Sequence, residues 1–137
     1  MDRFRTLARW GLAAFMGFAG LGHFRSTDAF LGQTPSFLPF RTAIVLVSGA
    51  VEIAFALALV GLPARRRAVG RLLALFYVVI FPGNLYQAIA GTSSFGLDTP
   101  GKRIARLFFQ PVLVALALWV TGGPRYDAPA EAGEAGR

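Results

Sequence analysis

The sequence contains no cysteine and a single histidine, and only 15% of its 137 residues are charged. Without cysteine there is no disulfide, no thiol relay, no thiolate zinc site and no cysteine-ligated iron–sulfur cluster. One histidine with no acidic cluster beside it cannot supply the paired ligands that most transition-metal sites use, so no metal centre is expected. Any redox chemistry would need a bound cofactor or a partner protein. Acidic residues are also scarce, seven against fourteen lysines and arginines, an excess that raises nucleic acid as a partner. The placement of the cations argues against it, because they flank apolar runs and form no exposed helical stripe.

Apolar residues are what the chain has in excess. They make up 55% of it, and the mean hydropathy is +0.55, too high for a soluble domain of this length. The lipid bilayer is therefore the expected partner and solvent. Four charge-poor stretches, residues 6–24, 42–63, 69–91 and 104–121, approach or exceed the roughly 20 residues that cross a bilayer at a rise of about 1.5 Å each. The expected fold is all-α, an integral membrane four-helix bundle over residues 1–121, followed by a disordered cytoplasmic tail over 122–137 that has no apolar periodicity. A cleaved signal peptide is the competing reading of the N-terminus. No small-x-small site follows its apolar core, so the segment is expected to remain as the first helix.

The basic residues give these helices a direction. Arg3, Arg5, Arg9, Arg65, Arg66, Arg67, Arg71, Arg125 and Arg137 fall on one side, and Arg25, Arg41, Lys102, Arg103 and Arg106 on the other. The positive-inside rule puts the more basic side and both termini in the cytoplasm, with Trp10 and Trp119 at the same interface. This describes a multi-pass protein of a bacterial inner membrane. The basic turn 63–71 orients the chain and could touch anionic lipid. Loop 25–41 is different: Phe30, Leu31, Phe37, Leu38 and Phe40 make it apolar, while Pro35 and Pro39 break it. It is expected to lie as a lid over the outer end, with one helical turn capped by Ser26 or Thr27 and ended by Gly32.

Ionisable and amide side chains inside hydrocarbon are costly and mark candidate sites. Glu52 lies near mid-depth, with Ser48 one turn before it on the same face, and should be neutral unless a cation reaches it. In the third span Tyr77, Phe81, Asn84 and Gln87 recur at helical spacing around Pro82-Gly83, where a kink is expected. Their alternative role is an interhelical hydrogen-bond clasp. Arg106 and Gln110 share a line on the fourth span, and His23 closes the first. At these depths His23, Asn84, Gln87, Arg106 and Gln110 all fall in the outer half with Glu52 beneath them. A polar pocket opening outward and roofed by the lid follows; the plainer reading is a polar layer that fixes helix register. Small residues at Gly11, Ala14, Gly17, Gly20, Ala50, Ala54 and Ala58 permit close helix approach, and an alanine ridge turned away from Glu52 allows a homodimer.

Ala19-Gly20-Leu21-Gly22-His23-Phe24, Pro35, Leu38-Pro39, Ser48-Gly49-Ala50-Val51-Glu52-Ile53 and Phe81-Pro82-Gly83-Asn84-Leu85-Tyr86 together resemble the DoxX family of small bacterial membrane proteins. That resemblance implies a four-helix bundle, pocket residues His23, Glu52 and Asn84, and for some relatives a link to quinone-dependent redox complexes. The functional expectation is a pocket that binds a small amphipathic molecule, a quinone among the candidates, and serves a redox partner. Glu52 and His23 would exchange protons, and Asn84, Gln87, Tyr77, Ser48, Gln110 and Arg106 would line the ligand. The alternatives are a non-enzymatic accessory or assembly subunit and a small transporter acting as an oligomer.

Overall fold

The computed structural model describes residues 2–122, and the tail expected to be disordered, apart from Gly122, lies outside them. Among the described residues the chain is helical with no strand. Helix α1 spans Asp2–Arg25, α2 is the short Thr27–Leu31, α3 spans Arg41–Gly61, α4 Arg66–Ala90 and α5 Pro100–Thr121; a 3-10 turn, Pro63–Arg65, joins α3 to α4. Helices α3, α4 with its preceding turn, and α5 are long and apolar enough to cross a membrane. Helix α1 is long enough but falls short in apolarity, because Arg3, Arg5, Arg9, His23, Arg25 and four glycines dilute its hydrophobic residues.

Each long helix presents its apolar residues outward as well as inward. Phe18, Leu57, Val79, Ile89, Phe108 and Val112 are exposed, while Glu52, Asn84, Gln87, Gln110 and Thr121 are buried. An arrangement with polar groups inside and large apolar groups outside suits a solvent of hydrocarbon. The apolar core lies toward the N-terminal end of α1, where Leu12, Met16, Leu59, Leu73, Leu113 and Ala117 pack together. Apart from Thr121, the buried polar residues named above collect toward the other end.

Glycine sets the two closest helix pairs. Along α1 and α3 the partners run in opposite order: Gly17 beside Ala56, Gly20 beside Gly49 and Ile53, and His23 beside Val45. A Cβ on Gly49 would stand 2.5 Å from the His23 Cβ and 2.8 Å from the Gly20 carbonyl oxygen, so only glycine fits. Gly70 of α4 sits against the Thr121 hydroxyl of α5 in the same way. The other small residues do not all pack: Gly11 has open space around it, and Ala50 and Ala54 are uncovered.

Two connecting segments close the polar end. Segment 26–40 contains α2, which begins after Ser26 and stops at Gly32 as the sequence suggests. Its cap differs from expectation. The Ser26 side chain makes no capping bond, Thr27 Oγ1 instead donates to the His23 carbonyl at 2.8 Å, and Gly32 is right-handed at φ −61°. Segment 91–99 follows Gly91, a left-handed C-cap whose N–H donates to the Gln87 carbonyl. The two segments are stitched together: Thr92 Oγ1 donates to the Gly32 carbonyl at 2.7 Å, and Ser94 Oγ donates to the Ala29 carbonyl. Arg41 reaches back to the carbonyls of Leu31 and Thr34, and Arg103 to that of Leu97, so cations counted as topology signals also tie down loops. At the rim Lys102 donates to Asp98 at 2.7 Å and holds its carboxyl below the usual carboxylate range. That small contribution to stability is present at neutral pH and is lost as acid titrates Asp98.

A candidate ligand cavity

Beneath the stitched segments lies a cavity of about 390 Å³, within the size range of small-molecule sites. Its walls come from all four long helices and its roof from Phe30, Gln33, Thr34, Pro35 and Leu38. Of the candidate site residues, His23, Ser48, Glu52, Tyr77, Asn84, Arg106 and Gln110 line it. Gln87 does not. It is buried, and its amide donates to the Thr92 carbonyl at 3.3 Å, which anchors segment 91–99 to α4.

Glu52 and His23 form the acid–base pair of the cavity. Helix α3 turns Glu52 inward on the face of Val45 and Gly49, and the missing side chain at Gly49 lets His23 of α1 approach it. His23 Nδ1 lies 2.7 Å from the Val45 carbonyl oxygen, which can only accept, so Nδ1 carries a hydrogen. Nε2 faces Glu52 Oε2 at 3.4 Å. Both side chains are buried, and Oε2 has no hydrogen-bond partner among the described residues. A buried oxygen left without a partner is uncommon and marks this part of the cavity wall.

The amides and the phenol are committed elsewhere. Asn84 Nδ2 donates to Gln110 Oε1 at 2.9 Å, and Gln110 Nε2 donates to the Tyr77 carbonyl at 2.7 Å. Pro82 has no N–H for the Val78 carbonyl one turn before it, and the acceptor of Gln110 is the neighbouring carbonyl, that of Tyr77. The Tyr77 hydroxyl donates to Met16 Sδ at 2.8 Å. Asn84, Gln110 and Tyr77 thus form the clasp between α4 and α5, with a sulfur contact to α1, while still lining the cavity. Ser48 adds a hydroxyl to the wall.

Phe30 was legible only as part of the lid, yet it contributes directly. Its ring stacks on the His23 imidazole with centroids 3.7 Å apart and meets Phe95 edge-on at 4.6 Å. Nothing in the sequence pairs Phe30 with His23 beyond their presence at the same outer end. Among the described residues no group of three or more His, Asp or Glu is placed to hold a metal.

A family model for a domain of unknown function (DUF8561) matches residues 12–121, which take in α1 from Leu12 onward, the other three long helices and both closing segments. This overturns the resemblance to DoxX: the fragments that carried it are a glycine-rich helix end, a Pro-Gly kink and a buried carboxylate, which closely packed membrane helices can share without common descent. The pocket roles and redox link implied through DoxX therefore lose that support. No curated protein and no solved structure matches the chain.

Proposed function

We propose that this chain, which belongs to the family of unknown function DUF8561, is an integral membrane protein whose cavity binds a small amphipathic molecule. The observation that carries this reading is a cavity with a mostly apolar wall that contains a buried carboxyl group, one oxygen of which has no hydrogen-bond partner among the described residues. A packing layer that only fixed helix register would have closed on that oxygen, as the Asn84–Gln110 clasp does on its own groups. A quinone is one molecule of this class.

In this reading α1 is the fourth crossing helix. Its apolar shortfall is tolerable because His23 is paired inside the bundle and Arg5 lies over the Trp119 ring at 5.7 Å, near an interface. The arginine distribution supports cytoplasmic termini and a cavity on the opposite side of a bacterial inner membrane. Native mass spectrometry of protein released from nanodiscs tests the binding reading. Wild type is expected to retain a small molecule, and Ala19→Phe, which puts a ring into the cavity, is expected to lose it while keeping its helical circular dichroism. A stoichiometric protein partner with no small molecule would favour the accessory-subunit reading instead.

A further inference from the structure

Arg106 is a cavity-lining arginine that forms no ion pair among the described residues. Its side chain lines the cavity from α5, one turn from Gln110, with the guanidinium 5.9 Å from the Phe109 ring centroid. Among the described residues it makes no hydrogen bond to a protein acceptor, and the ion pairs present are His23–Glu52 and Lys102–Asp98. Glu52, the carboxyl group of the same wall, stands 3.4 Å from His23 and forms no ion pair with Arg106. A planar guanidinium, with five donors, thus belongs to a wall that Phe15, Ile44, Val47, Val51 and Ile80 make largely apolar.

We infer that the occupant is an amphipathic oxyanion, its carboxylate or phosphate head held by Arg106 and its apolar tail among those residues. This rests on the cavity being a binding site and adds the chemistry of the head group. The anion supplies the acceptors that a half-buried guanidinium without a protein hydrogen bond leaves open, in the bidentate geometry that suits it. A free fatty acid and an anionic phospholipid share this chemistry.

The test compares decanoate and decanol, which share a tail and differ in charge, on the full chain in zwitterionic nanodiscs at alkaline pH. Comparing wild type with Arg106→Gln for each probe cancels partitioning into lipid. Arg106→Gln is expected to weaken decanoate at least about tenfold while changing decanol less than about twofold, and Arg106→Lys to recover part of the loss. Retained decanol binding also shows that the variant is folded. If Arg106→Gln binds decanoate as wild type does, or weakens both probes equally, the oxyanion inference is wrong and the binding site itself survives. If wild type binds neither probe, both the inference and the binding reading fail. Repeating the titration with anionic phospholipid in the disc separates the sources: loss of decanoate binding assigns the head site to phospholipid, and its persistence to a free acid.

Discussion

Replacing His23 with phenylalanine is expected to destabilise the protein by about 3 kcal/mol, and adding Glu52→Leu to the same chain to restore most of that loss. The ring of phenylalanine fills the space and keeps a stack on Phe30, so the deficit isolates polarity. With His23 gone the Glu52 carboxyl loses the group 3.4 Å from Oε2, and the Val45 carbonyl loses its second donor. Removing one member of a buried pair strands the other, whereas replacing both with apolar groups removes the desolvation cost along with the attraction. Equilibrium unfolding of the two single variants and the double variant in mild detergent measures the coupling. Additive losses, with the double variant worst, would mean that the residues do not act as a pair.

Gly49→Ala carries the second large effect, expected at about 2 kcal/mol of stability. The added methyl would meet the Gly20 carbonyl, which is backbone and cannot rotate aside, and the Cβ of His23. Relief requires α1 and α3 to separate, and that movement also pulls the imidazole from Glu52 and widens the cavity. Gly11→Ala is the control, since nothing lies near that position. It should be neutral or slightly stabilising, because alanine is the better helix former. Equal losses in the two variants, read as the unfolding midpoint, would mean that glycine at 49 is not needed for close approach.

These two variants mark what could be read from the chain and what could not. A carboxylate in an apolar run has few affordable positions, so turning Glu52 inward followed from the cost of the alternative; helical periodicity then put Ser48, Tyr77, Asn84 and Gln110 near it. The turn from Ser26 to Gly32 was equally legible, since composition alone breaks the helix there. Gln87 went astray because its partner, the Thr92 carbonyl, belongs to a segment with no pattern of its own, and depth arithmetic cannot distinguish a wall residue from an anchor. The Asn84 and Tyr77 donors were assigned to a ligand because sequence does not show that Gln110 and Met16 arrive first. The tautomer of His23 depends on a main-chain carbonyl across a helix interface, and the close packing that brings it there depends on Gly20 and Gly49 meeting. Single-helix periodicity holds no information about either. Familiar fragments in a familiar order also suggested a family other than the one whose model matches, for packing and burial alone favour such fragments in apolar helices.

Because the chain has no cysteine, a single introduced thiol reports on one place. Ser48→Cys puts that thiol in the cavity wall, Leu57→Cys on the outward face of the same helix, and Leu59→Cys in the packed core. Labelling by a small apolar maleimide, with and without decanol, asks whether a molecule enters. The account predicts that the thiol at 48 reacts and is protected by decanol, that the thiol at 57 reacts regardless, and that the thiol at 59 stays inert. A thiol at 48 as inert as that at 59, or as indifferent to decanol as that at 57, would contradict it.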